Sequence, residues 1–171
     1  GFSATSPALG EGPFIDTVDR KLRSGAYPYF ARVVPSDNLQ AMTITDLLAK
    51  LGYSLANCVF SSGVYGEGLF RSFADRFRAM GGRLATTGLI KIATSIQIKL
   101  DSSDVLESLQ KSYIKVNVAM ISSVASHIFL NQSIQSGHMD SGWIWIFSES
   151  TLRFFQPDDT SIDRAGRAGV L

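Results

Sequence analysis

Residues 115–148 read KVNVAMISSVASHIFLNQSIQSGHMDSGWIWIFS. The hydrophobic period changes twice within this stretch. KVNVAMIS (115–122) is nearly continuous in apolar character, as a strand covered on both faces must be. A helix follows with Ala125, Ile128 and Phe129 on one side, and it ends near Gly137. WIWIFS (143–148) is again a strand. Two strands joined by a helix run parallel, because a short turn cannot bring a chain back in the same direction.

The same alternation extends toward the N-terminus. Residues 38–51 put Ile44, Leu47, Leu48 and Leu51 on one helical face, with Gly52 as the stop. SLANCVF (54–60) reads as a strand, SSGVYGEG (61–68) as a loop, and the next stretch as a helix. The buried stripe expected for that helix is Phe70, Phe73, Phe77 and Met80, closed by Gly81-Gly82. RLATTGLIKI (83–92) is a strand. Ser103 is placed to cap a third helix, with Val105, Leu106 and Leu109 inward and Glu107 paired to Lys111. From Asn38 to Ser148 the chain is therefore α/β: a parallel sheet flanked by helices. Ligands of such sheets sit beyond the carboxyl ends of the strands, here Phe60 to Gly68, Ile121 to Val124 and Phe147 to Ser150.

The flanks do not fit the repeat. Residues 1–37 hold the turn SATSP, a linker DTVDRKLRSG (16–25) that reads as a solvated loop, and the extended run YPYFARVVPSD. Residues 151–171 turn polar and glycine-rich after LRFF, as a loose or truncated tail would. A first residue Gly1 in place of methionine reads as a processed chain or an excised fragment.

Composition narrows the function. Of 171 residues, 45 % are hydrophobic and 18 % charged, a globular balance. Lys+Arg number 16 against 15 Asp+Glu, which gives no electrostatic basis for nucleic-acid binding. The single cysteine, Cys58, excludes an internal disulfide and a multi-cysteine metal site, and it reads as a buried inert thiol. Two histidines, His127 and His138, build no metal cage by themselves, so no metal or other cofactor is expected. His127 is expected to be partly exposed. There is no G-x-S-x-G elbow and no acid–base pair at catalytic spacing, so the chain does not read as an enzyme.

Several residues stand out beside plainer roles. Gly63, Gly66 and Gly68 suit a ligand-cradling loop or simply a tight turn. A phosphate loop would need Lys-Ser/Thr after the last glycine, where Leu69-Phe70 stand. Tyr65 offers an aromatic contact at the tip of that loop. Ser3, Thr5 and Ser6 form a hydroxyl cluster suited to turn capping or to a small polar ligand. Asp37 serves as a helix N-cap or as a ligand carboxylate, and Glu149 as a surface turn residue or an ammonium partner. Asn131-Gln132-Ser133 has the N-x-S form of a glycosylation acceptor in a secreted protein.

Four blocks carry a family likeness: GFSATSPALG, YPYFARVVPSDNLQA, SSGVYGEG and SGWIWIFSES. They resemble the extracellular ligand-binding region shared by family C G-protein-coupled receptors, natriuretic-peptide receptors and periplasmic-type binding proteins. The nearest likeness is to metabotropic glutamate receptors, with some to the GABA-B receptor around YPYFARVVPSDN. The resemblance implies a fragment of a two-lobed clamshell of the type 1 periplasmic-binding-protein kind. Residues 1–30 would be the tail of the first half of lobe 1, residues 31–150 the crossing strand plus most of lobe 2, and residues 151–171 the tail.

The resemblance also implies site roles. Ser3 and Thr5 would bind the carboxylate and amino groups of an amino-acid-like ligand. Asp37 would lie near the amino group, Tyr65 would pack on the ligand, and Glu149 would pair with the ammonium. Glu149 sits in SES where the family has SDG, so its carboxylate reaches one methylene further. A membrane-anchored parent on the extracellular side of the plasma membrane follows, signalling by clamshell closure, with homo- or heterodimers of ectodomains compatible. A soluble solute-binding protein feeding a transporter is the alternative, and a Rossmann-like nucleotide-binding enzyme a further one.

Overall fold

A computed structural model describes residues 14–15, 22–23, 35–91 and 102–154. Two short strands, β1 (Phe14–Ile15) and β2 (Leu22–Arg23), pair antiparallel. The linker expected as one solvated loop thus begins just after a strand and carries a second one within it. The main body follows as α1 (Asp37–Lys50), β3 (Leu55–Ser61), α2 (Val64–Ala79), β4 (Arg83–Ile90), α3 (Ser103–Lys111), β5 (Val116–Met120), α4 (Ser123–Gln135) and β6 (Ile144–Phe147). A 3-10 turn, Glu149–Phe154, closes it.

The four long strands form one sheet in the order β4-β3-β5-β6, and every neighbouring pair is parallel. This is the α/β sheet the sequence alternation predicts. The chain moves outward from β3 to β4, then returns past β3 to β5 and β6. Right-handed crossovers turn that reversal into a change of face. α1 and α2 accordingly share one side, where Leu48, Leu69, Phe73 and Phe77 pack with Cys58, Val118 and Ile146. α3 and α4 take the other side, where Leu109, Ala125 and Phe129 pack with Val59, Ala119 and Trp145. The strand order reverses between β3 and β5, which makes their carboxyl ends the switch point of the sheet.

The central strand β5, VNVAM, is buried at every residue, whereas β4 alternates and leaves Leu89 42 % exposed. The difference follows from position. β5 has a strand on each side and helices on both faces, whereas β4 pairs only with β3 among the described residues. Trp145 is fully buried, meets Phe129 edge-on at 5.7 Å and donates its Nε1–H to the His138 carbonyl at 2.7 Å. Burying a side chain of this size with its polar atom satisfied contributes on the order of 3 kcal/mol.

Three local expectations are corrected. Met80 is 49 % exposed, because the buried stripe of α2 runs through Gly66, Leu69, Phe73, Ala74 and Phe77. Phe70 is only partly buried and stacks on Phe60 at 4.0 Å. The N-cap of α3 is Ser102, whose hydroxyl bonds Gln132 of α4, so Ser103 is the first helical residue. The Glu107–Lys111 pair forms as expected, at 2.6 Å.

Candidate functional site

The helices α1, α2 and α4 all begin at the carboxyl edge of the sheet, and none of their N-caps makes a side-chain capping bond. The switch point is bridged there. The Ser122 backbone N–H, at the end of β5, donates to the hydroxyl of fully buried Ser61, at the end of β3, at 3.0 Å.

α2 sits unusually close to that point. Gly63 has φ of 101°, a left-handed value that favours glycine and turns the chain sharply into the helix. Gly66 then lies against β3, where an added Cβ would fall 2.1 Å from the Ser61 carbonyl oxygen. SSGVYGEG is therefore not a loop throughout. The helix starts at Val64, and Tyr65 belongs to its first turn instead of a loop tip. Gly68 faces open space and has no such constraint.

Tyr65 is partly buried against the α1/α2 side of the core. Its hydroxyl donates to Oε1 of Gln40 on α1 at 3.3 Å. Burial pushes the phenol pKa up, as do the carboxylates of Glu149 and Asp37, while the neighbouring hydroxyls of Ser148 and Ser150 pull against that rise. The phenol is thus neutral at physiological pH, with two acidic residues in its electrostatic reach. Asp37 is 1 % exposed at the start of α1, where a carboxylate suits the positive end of the helix dipole. The N-cap itself is Ser36, so the plain N-cap role considered for Asp37 does not apply. Glu149 is exposed on the 3-10 turn after β6. The Ser150 hydroxyl donates to the Ile121 carbonyl at 2.5 Å and ties this turn to β5.

Three of the five candidate ligand residues, Asp37, Tyr65 and Glu149, thus gather at one edge. Ser3 and Thr5 lie outside the described residues. Sequence reasoning missed Gln40, Ser148 and Ser150. The only available signal was their adjacency to Asp37 and Glu149, and it does not say which way a side chain turns.

The remaining candidates lie elsewhere. Cys58 is fully buried within β3, and burial raises its thiol pKa far above the ordinary value, so it is inert as expected. His127 and Asn131 are exposed on α4. Ser133 of the N-x-S sequence is buried. A cavity of about 250 Å³ opens at the opposite, amino edge of the sheet, lined by Thr45, Ala49, Gly52, Tyr53, Ser54, Phe77, Met80 and Gly82. Its lining holds no carboxylate and no cation, so it offers nothing to orient a charged ligand.

The fold is an α/β domain with a group of polar residues at the switch point of its parallel sheet. The receptor family ligand binding region matches residues 16–170, and the chain belongs to that family. It is 30 % identical over 127 residues to taste receptor type 1 member 3 of Homo sapiens, covering 74 % of this chain and 15 % of that receptor. It is 32 % identical over 91 residues to metabotropic glutamate receptor 6 of Rattus norvegicus, covering 53 % of this chain and 10 % of the receptor. A metabotropic glutamate receptor-like protein E of Dictyostelium discoideum is 40 % identical over 58 residues, 34 % of this chain and 7 % of its own length. The chain therefore spans about 15 % of the length of the taste receptors it matches. Among the described residues no helix is long and apolar enough to cross a membrane.

Proposed function

We propose that this receptor ligand-binding region senses an amino-acid-like ligand on the extracellular side of a membrane-anchored receptor, by closure of a two-lobed clamshell. The observation that carries the reading is that Tyr65 stands within electrostatic reach of both Asp37 and Glu149 at the carboxyl edge. Two carboxylates and an aromatic face are the groups an ammonium requires. Residues 31–150 form the crossing strand and most of lobe 2, residues 1–30 the tail of the first half of lobe 1, and residues 151–171 the tail. Ser3 and Thr5 bind the ligand's carboxylate and amino groups from the opposite lobe. A ligand held by both lobes binds the closed state better than the open one, and that difference in affinity is the signal. The role is binding, not catalysis, and dimers of ectodomains fit the same scheme. On this reading Asn131 accepts a glycan on the outer face of α4, and a mass loss on treatment with peptide N-glycosidase, absent in Asn131→Gln, checks it.

The test is calorimetric titration of the ectodomain containing this chain with the twenty common L-amino acids. Saturable heat with one or more of them, with affinity weakened on substitution of Tyr65 or Glu149, is expected. Absence of heat from all twenty, or unchanged binding in both variants, overturns the reading.

A further inference from the structure

Tyr65 is assigned above as an aromatic wall for the ligand, and its hydroxyl poses a separate question. A phenol can donate its proton to a ligand acceptor or offer its ring and lone pairs to a cation. The structure commits the proton elsewhere. Gln40, half-buried on the first turn of α1, presents its carbonyl oxygen to the phenol at 3.3 Å. On the other side, Ser148 and Ser150 lie beside the phenol, and burial raises its pKa and so keeps it in the neutral form. Ser150 is fixed in turn by its bond to the Ile121 carbonyl, and Ser148 lies 3.3 Å from Ser150 through their hydroxyls. The Tyr65 hydroxyl is thus spanned between α1 and the turn after β6, with its only proton directed at Gln40.

We propose that Gln40 is a specificity-determining positioning residue: by accepting the Tyr65 proton it withdraws the one donor that Tyr65 could offer a ligand, and so biases this edge toward a cationic amine and against an acceptor such as a hydroxyl or carboxylate. The inference rests on the reading that Tyr65 lines the ligand site. The acidic neighbours Asp37 and Glu149 act in the same direction, but they repel only anions. A neutral 2-hydroxyl in place of the 2-amino group loses the attraction of those carboxylates without being repelled by them, and the orientation of donors adds a separate increment of discrimination. A site that leaves a ligand group without its hydrogen-bond partner rejects that ligand more strongly than any loss of contact area would.

The experiment titrates the ectodomain with the twenty L-amino acids and, for each one that binds, with its 2-hydroxy acid. In Gln40→Leu the preference for the amino acid over the hydroxy acid is expected to fall by about fivefold, the scale of one neutral hydrogen bond. Gln40→Glu keeps an acceptor and retains the preference. Gln40→Met, of similar length, repeats the loss if the leucine variant does not fold. In a Tyr65→Phe background the effect of Gln40→Leu disappears, because no proton remains to be committed. Unchanged discrimination in Gln40→Leu or Gln40→Met, with binding still weakened by Tyr65→Ala, overturns this inference alone. Wild-type binding by Tyr65→Ala overturns the underlying reading, and this inference with it.

Discussion

The two ends of the sheet handle buried polar groups in opposite ways. At the amino edge, Asn57 and Asn117 face each other from β3 and β5 and are fully buried. Asn57 donates to the Ile114 carbonyl at 2.8 Å and to Asn117 Oδ1 at 2.9 Å, and it accepts from the Ser112 hydroxyl at 3.1 Å. Asn117 donates to the carbonyls of Lys115 at 2.9 Å and Ile144 at 3.2 Å. All four amide protons and both amide oxygens are used, so the cluster closes on itself. At the carboxyl edge the Tyr65–Gln40 and Ser148–Ser150 bonds are both 3.3 Å, Glu149 is exposed, and among the described residues the buried Ser122 hydroxyl has no hydrogen-bond partner. A closed network is worth most to stability. A network with spare capacity in a low-dielectric setting keeps its polar groups ready for something else.

The comparison predicts effects that separate by edge. Asn117→Ala leaves buried partners of Asn57, Lys115 and Ile144 short of a bond, and should cost about 2–4 kcal/mol of unfolding free energy in urea titrations. Ligand affinity of the folded fraction should not change; a matching loss of affinity would break the separation of the two edges. Glu149→Gln keeps the shape but removes the charge, and should cost roughly 1.5–3 kcal/mol of binding to an amino-acid ligand with little change in melting temperature. Gly66→Ala drives a methyl group into the Ser61 carbonyl, so it should cost about 1–3 kcal/mol of stability. Gly68→Ala meets nothing and should be neutral or stabilising. Equal melting temperatures for the two alanine variants would contradict the close seating of α2.

Tyr65→Ala should weaken binding by about 1–2 kcal/mol, the value of a cation–π contact in a partly desolvated site. Glu107→Gln, on the exposed face of α3, is the control and should leave affinity and stability alike. The smallest expected effect belongs to His138, packed on Trp143 at 4.7 Å near the amino edge. Burial lowers its pKa, as does the nearby Lys115 charge, against the opposing pull of the Leu106 and Ser136 backbone groups. The unfolded chain therefore takes up this proton more readily than the folded one. Stability from this group is present above the ordinary imidazole pKa and is lost as pH falls below it, from about pH 7 toward pH 5. His138→Gln should flatten that part of the stability–pH curve; an unchanged slope would assign it to other groups.

The sequence determined the elements and their kind. Near-continuous apolar runs such as VNVAM and IWIF can be satisfied only with cover on both faces, and the helices between them require parallel strands. That logic needs no coordinates, and it also singled out the candidate ligand edge, because βα connections leave helix N-termini and strand carboxyl ends together. What it could not settle were decisions made by neighbours far away in the chain. Glycine's preference for turns put Gly66 in a loop, yet its missing Cβ serves the approach of a helix to the Ser61 carbonyl. Helical spacing put Met80 inside, yet the chain turns away at Gly81, with φ of 84°, and Met80 is left at the surface. Tyr65 was legible as an aromatic near the site, but the commitment of its proton to Gln40 was not. A hydroxyl's direction depends on which acceptor the tertiary fold brings to it, and periodicity along the chain carries no record of that.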